Sequence, residues 1–245
     1  MNSSNNLSDI AARFEADGFV VLEGFFSGIE VTAMNNEIEK HYAPILAKQD
    51  EAVNQKGDAF RQFNTEVIPW DPCGEGNAVF AAVRDDSRLR DATAACIQPD
   101  FNASGSLVML SVGGGKGQAW HQDCPAVDST QFNLNRLIYT QDIAAESGAI
   151  VLVPGSHRAG AIPPGGSQDP LPGEVMLTPK AGTLVLMNGH VYHRVTPNTT
   201  SNPRLSVNFR AYGKGVSPDV CNIGVFRNGA FDFAKNAVTT DPARR

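Results

Sequence analysis

Ala119-Trp120-His121-Gln122-Asp123 reads as extended chain rather than helix, and the fold follows from that reading. Gly113-Gly114-Gly115-Lys116-Gly117 precedes it as a flexible turn, and before that Leu107 to Val112 is apolar and β-prone. Side chains on an extended segment alternate faces, so His121 and Asp123 are expected to point the same way. One distant histidine added to them makes two imidazoles and a carboxylate on one face of a metal. That set suits ferrous iron and leaves coordination positions open. His-x-Asp alone is frequent by chance, so its setting has to carry the weight.

The setting on the C-terminal side is a series of short apolar runs. Leu134 to Thr140, Ala149 to Val153, Val175 to Leu177, Thr183 to Met187 and Leu205 to Tyr212 are parted by turns, with a Gly/Pro-rich excursion from Ala159 to Gly173. Many short strands at near-regular spacing predict an antiparallel sandwich or barrel. The glycine run has neither the Gly-Lys-Ser/Thr sequence nor the following helix of a phosphate loop, so it is expected to be a hairpin connection.

On the N-terminal side the pattern is helical. Ser8 is expected to cap a helix that Gly18 stops, with a short strand at Phe19 to Leu22. Ser27-Gly28-Ile29-Glu30 is a capping box, after which Ile29, Val31, Met34, Ile38 and Tyr42 recur at helical spacing. Asp50 to Gly76 is expected as a long loop with surface packing, and Phe80 to Cys96 as helix broken near Asp86-Ser87. The expected organisation is a single domain over 1–245: a mostly helical flank to residue 100, a β core over 101–215 and a C-terminal extension over 216–245.

The bulk numbers narrow the function. A chain of 245 residues, 42% hydrophobic, has enough apolar material for an ample core. Its net charge of -6 argues against nucleic acid as a partner, which calls for a clustered basic face. No apolar run approaches the ~18 residues of a membrane span. Met1 to Asn6 lacks the charged and apolar regions of a signal peptide, and the four cysteines lack framework spacing, so a cytoplasmic protein with free thiols is expected. The oligomeric state is left open.

Phe14 to Val21 with Phe26-Ser27, Trp120-His121-Gln122-Asp123, Glu146-Ser147-Gly148-Ala149 leading to Val153-Pro154-Gly155-Ser156-His157-Arg158, and Ala181-Gly182 through His193 to Asn198 and Arg204 together resemble the phytanoyl-CoA dioxygenase family of iron(II)- and 2-oxoglutarate-dependent oxygenases. The resemblance runs nearly end to end. It implies an α+β, mainly β fold: a double-stranded β-helix (a jelly roll, cupin-like) with flanking N-terminal helices. It assigns His121, Asp123 and His193 to iron(II), and Arg204 to the far carboxylate of the co-substrate 2-oxoglutarate. Arg204 follows His193 by eleven residues, the family's interval. A planar guanidinium grips a carboxylate with two parallel hydrogen bonds, which a lysine cannot imitate. Ser206 shares its strand face and can donate to the same carboxylate.

Duller readings stand beside these. His190 breaks the interval to Arg204 and is expected as a supporting or surface histidine. His157, in a turn after Pro-Gly-Ser, is expected to have a structural or supporting role, and Cys124 to be a small core residue. Thr183 stands where the family commonly carries an acidic residue, and a carboxylate at 123 closes the position that related halogenases leave to halide.

The resemblance then implies an enzyme that uses Fe(II), 2-oxoglutarate and O2 to hydroxylate an unactivated C–H, with succinate and CO2 as co-products. Desaturation, epoxidation or ring formation in natural-product biosynthesis is the alternative on the same scaffold. A zinc hydrolase or a non-catalytic cupin-like binding protein competes from outside it. The substrate is expected to be a free small molecule. Arg61, Phe63, Trp70, Gln118, Gln131, Asn133, Tyr139 and Arg210 are its candidate contacts, with Arg210 either meeting a substrate anion or lying as a rim charge.

Overall fold

Local signals set the N-terminal elements. In this computed structural model, which describes residues 6–56, 67–162, 168–221, 223–226, 229–232 and 237–240, helix α1 (Leu7–Asp17) is capped by Asn6, whose side chain accepts from the Ser8 amide. The cap therefore falls before Ser8, the expected position. Gly18 ends the helix at φ 82°, a left-handed conformation that costs glycine nothing. After strand β1 (Phe19–Leu22), Ser27 and Glu30 close the capping box. The Ser27 amide donates to Glu30 Oε2 at 2.7 Å and the Glu30 amide to Ser27 Oγ at 3.4 Å.

Helix α2 (Gly28–Lys56) runs on well past Tyr42, and β2 spans Val67–Trp70, so residues 50–56 and 67–70 of the loop expected over 50–76 are helix and strand. Met34, Ile38 and Tyr42 are buried as their spacing predicts, but Ile29 is 83% exposed. One turn into a helix, its position already lies off the buried stripe. Helices α3 (Ala78–Arg84) and α4 (Ser87–Cys96) break at Asp86, which caps the second of them.

The rest is β: β3 (Phe101–Ser111), β4 (Gln118–His121), β5 (Asn133–Tyr139), β6 (Ile150–Leu152), β7 (Val175–Leu177), β8 (Thr183–Asn188), β9 (His193–Val195), β10 (Arg204–Gly213), β11 (Ile223–Phe226), β12 (Gly229–Asp232) and β13 (Ala237–Thr240). One sheet has the order β1-β8-β5-β10-β3-β2, a second β4-β9-β6-β7, and the last three strands form a third. From β3 to β10 the chain passes repeatedly between the first two sheets, and every pairing is antiparallel. This is the jelly-roll, double-stranded β-helix architecture, mainly β, with helices against one face. The helical flank also supplies both outermost strands of the large sheet.

The glycine run at 113–117 crosses from the large sheet to the small one and is not the hairpin that was expected. Gly113 and Gly117 permit close approach of the backbone: a Cβ would stand 2.5 Å from the Ser201 carbonyl oxygen at the first and 2.2 Å from the Val195 carbonyl oxygen at the second.

The large sheet is covered on both faces. Val20, Leu22, Ile138, Leu184, Leu186, Val207 and Phe209 meet Ile10, Phe14, Met34, Ile38, Phe80 and Leu89 of the helices. The alternate residues, Leu137, Tyr139, Val185 and Met187, meet Ile150 and Leu152 of the small sheet. Double coverage explains why β5 and β8 are buried at every position. Among the described residues no helix is long and apolar enough to cross a membrane.

Candidate metal centre

His121 closes β4 and His193 opens β9, and the two are directly paired across the small sheet. Directly opposed residues of antiparallel strands share a face, which brings the imidazole centroids to 4.2 Å. Asp123 reaches the same place by a different route from the one alternation suggests. The strand ends at His121, and the chain bends there, so that the Asp123 and Cys124 amides both donate to the Gly189 carbonyl at 2.9 and 3.0 Å. That bend carries the carboxylate back, with Oδ1 3.8 Å from His121 Nε2. One potential ligand atom from each of His121, Asp123 and His193 lies within 4.8 Å of the others.

The surroundings tune these groups for a cation. His121 Nδ1 is 2.7 Å from the Ala119 carbonyl and His193 Nδ1 is 2.9 Å from the Val191 carbonyl. A carbonyl only accepts, so each Nδ1 carries the proton and each Nε2 keeps its lone pair. Burial, reinforced by the neighbouring His121, pushes the His193 pKa down to about 4, which leaves a neutral imidazole at pH 7. Burial alone would raise the Asp123 carboxyl. The Arg210 guanidinium, the two imidazoles and the Asn135 amide outweigh it and hold the group well below the usual carboxylate range. Two lone pairs and an anion turned inward are the donor set a divalent metal takes.

The flanking residues of the same stretch point away and anchor it. Gln122 donates to the carbonyls of Gly160 at 2.8 Å and His190 at 2.6 Å, and accepts from the Ile162 amide at 2.7 Å. Trp120 stacks on Tyr192 at 5.3 Å and donates to the Asp169 carbonyl at 2.8 Å.

Arg204 and Ser206 are both buried on one face of β10. Strand pairing sets Tyr139 opposite Thr183, and the Arg204 guanidinium lies beside the buried Tyr139 phenol. Burial raises that phenol's pKa and the guanidinium partly offsets the rise. Arg204 Nε, the Tyr139 hydroxyl and the Thr183 hydroxyl are buried, and each lacks a well-formed hydrogen bond among the described residues. Unsatisfied buried donors are costly, so two hydroxyls beside a guanidinium whose own Nε is unpaired mark a place for an anionic oxygen.

Gly148 shapes that place. It sits at φ +87°, and a Cβ there would stand 3.0 Å from Arg204 Cδ. Gly148→Ala should lower stability by about 1–2 kcal/mol from the left-handed backbone alone, and should weaken 2-oxoglutarate binding by displacing the arginine stem. Thermal denaturation and co-substrate titration check the two effects separately.

The residues proposed for substrate contact scatter. Arg61 and Phe63 lie outside the described residues. Trp70 is buried among the helices. It pairs with Val108 on the helix-covered face of the sheet, stacks on His41 at 4.2 Å and donates to Glu75 at 2.9 Å. Strand parity aims it away from the metal. Gln118 is exposed at the start of β4. The Gln131 carbonyl accepts from Cys124 Sγ at 3.1 Å and lies 3.3 Å from His190 Nε2.

Asn133 is wholly buried and donates to the Val220 carbonyl, a scaffold role. Tyr139 belongs beside Arg204. Arg210 is neither a rim charge nor open to a substrate anion: it is 1% exposed and sits 2.9 Å from Asp123 Oδ2. His190 is buried, not a surface residue, and His157 packs over Gly18, where a Cβ would stand 2.4 Å from its Nδ1. Cys124 is buried.

Sequence reasoning missed Asn135 and Asn208. Asn208 donates to Asn135 at 2.8 Å, and Asn135 donates to Asp123 Oδ2 at 2.9 Å. The available signal was an amide in the interior of each of two strands, where a buried polar group needs a partner.

A family model described as phytanoyl-CoA dioxygenase matches residues 14–206. The chain is 26% identical over 223 residues to "Dioxygenase FUM3" of Gibberella moniliformis, covering 83% of this chain and 71% of that protein. It is 25% identical over 233 residues to "Ectoine dioxygenase" of Bordetella parapertussis, covering 82% and 73%. Among solved structures, the epimerase SnoN in complex with Fe3+, alpha ketoglutarate and nogalamycin RO superposes with a TM-score of 0.62 at 19% identity, over 89% of this chain and 94% of that one.

Proposed function

The chain belongs to the phytanoyl-CoA dioxygenase family, and from that premise we propose that it is an iron(II)- and 2-oxoglutarate-dependent oxygenase that hydroxylates an unactivated C–H bond of a small-molecule metabolite. In balance, substrate C–H, 2-oxoglutarate and O2 give substrate C–OH, succinate and CO2. The observation that carries the reading is the convergence of His121, Asp123 and His193, with ligand atoms within 4.8 Å of one another and both Nε2 lone pairs turned inward.

Ferrous iron, 2-oxoglutarate and O2 together supply the oxidising chemistry. The chain supplies placement. His121, Asp123 and His193 hold the metal. Arg204 grips the far carboxylate of 2-oxoglutarate, with Ser206, Tyr139 and Thr183 donating alongside, which gives a partner to Arg204 Nε and to the Tyr139 and Thr183 hydroxyls. Buried Leu137, Val185 and Ile150 form an apolar layer between the two sheets that carry the site. That one relative is named an ectoine dioxygenase and a structure of this fold was solved in complex with nogalamycin RO supports a small-molecule substrate and leaves its identity open.

Anaerobic protein loaded with iron(II) should develop a visible charge-transfer band when 2-oxoglutarate is added, and should release succinate when O2 is admitted. Full occupancy by zinc with no response to 2-oxoglutarate would instead mark a hydrolase.

A further inference from the structure

We infer that Arg210 and Asn135 are positioning residues that restrict Asp123 to binding the metal through one oxygen. The inference deepens the oxygenase reading and rests on it for the identity of the metal. Arg210 and Asn135 stand directly opposite each other across β10 and β5. Both take the same carboxylate oxygen: Arg210 reaches Asp123 Oδ2 at 2.9 Å, and Asn135 Nδ2 donates to Oδ2 at 2.9 Å. Oδ1 is the oxygen nearer His121 Nε2, at 3.8 Å.

With a cation and an amide both claiming Oδ2, rotation of the carboxylate to present two oxygens to a metal would break two charge-assisted hydrogen bonds in a buried site. Each such bond is about twice as strong as a neutral one.

The support for this pair is built into the sheet. Asn208 donates to Asn135 Oδ1 at 2.8 Å, which fixes the amide with its NH2 toward Asp123. The β10–β3 pairing shifts register between Phe209 and Ala211, a bulge centred on Arg210. Bulges near active sites re-aim a side chain. Here the buried Arg136 guanidinium donates to the Phe209 carbonyl at 2.8 Å and the Arg210 carbonyl at 3.2 Å, and so pins the bulge from the opposite face. Arg210 also donates to the Cys221 carbonyl at 3.2 Å.

The consequence is that Asp123 would offer Oδ1 alone to a metal beside the two imidazoles, which would keep coordination positions free for the co-substrate and O2.

The test titrates anaerobic protein, loaded with iron(II) and 2-oxoglutarate, with nitric oxide as the stand-in for O2. It follows the charge-transfer band and the electron paramagnetic resonance signal of the nitric oxide adduct. Asn135→Ala and Arg210→Met should keep 2-oxoglutarate affinity within about threefold of wild type yet bind nitric oxide about 10-fold or more weakly, the scale on which partners of a ligand act. Arg210→Lys should fall between. Arg210→Met removes the cation from a buried carboxylate and can fail to fold, so Asn135→Ala stands as the independent arm.

Wild-type nitric oxide affinity in the Asn135→Ala protein overturns the inference, and so does its loss of iron altogether, which would make the role retention rather than denticity. A wild-type protein that forms no charge-transfer band defeats the oxygenase reading instead. The denticity is then read from cobalt(II) alone, and an unchanged visible spectrum in Asn135→Ala overturns it.

Discussion

His121→Ala is expected to abolish the charge-transfer band of the iron(II)–2-oxoglutarate complex. The argument is positional. His121 and His193 are paired residues on adjacent strands, and the Nδ1 of each is tied to a carbonyl two residues back in its own chain, so neither ring can swing to compensate for the other. Losing a partner of a metal ligand costs about 10- to 100-fold in affinity, so losing the ligand itself should exceed about 100-fold. The fold should be retained, because the His121 side chain is partly exposed and alanine gives up only its contact with the His193 ring and one local hydrogen bond. Metal analysis after anaerobic reconstitution, with thermal denaturation as control, checks both halves. A normal band in the variant would end the ligand assignment. His193, with its pKa held near 4 by burial and by His121, meets competition from protons only as the pH approaches that value.

Arg204→Ala is expected to raise the dissociation constant for 2-oxoglutarate by about 10²–10³-fold, the scale of truncating one partner of a buried, hydrogen-bonded charge pair. Metal occupancy should stay as in wild type. Arg204 lies on β10, and the ligand set is carried by β4, β9 and the bend at Asp123, so the two functions separate in the fold. The readouts are the 2-oxoglutarate concentration at half-maximal band intensity and the metal content, measured on the same sample. Arg204→Lys should rescue little, since an ammonium cannot present two parallel donors to a carboxylate. Co-substrate binding as in wild type in the alanine variant would remove Arg204 from the site.

What was legible from residues was whatever depends on short range. The capping box at Ser27–Glu30, the stop at Gly18, the break at Asp86 and most of the strands rest on spacing and turn chemistry, which act within a few residues. Strand β9 went unread because His193-Arg194-Val195 has one apolar residue and so no apolar run to read. The end of α2 was missed because its polar continuation has no apolar stripe to read.

The residues proposed for the site, His121, Asp123, His193, Arg204 and Ser206, could be named from the family resemblance and from the side-chain chemistries that a metal and a dicarboxylate demand. Their convergence could not be seen, because it is made by pairing between β4 and β9 and by a bend held on the Gly189 carbonyl. The same limit misplaced Trp70 and Arg210. An aromatic and a guanidinium look like pocket residues in one dimension, and register alone sends the first into the helical layer and the second onto Asp123.

The sequence by itself therefore determined the chemistry on offer: which donors exist, that they sit on short strands, and that the chain rolls into two sheets. Only the tertiary structure decided which donors meet and which oxygen of Asp123 is left over. Residues far apart in the chain become neighbours through strand register, and register is fixed by the packing of the whole sheet rather than by any stretch of it.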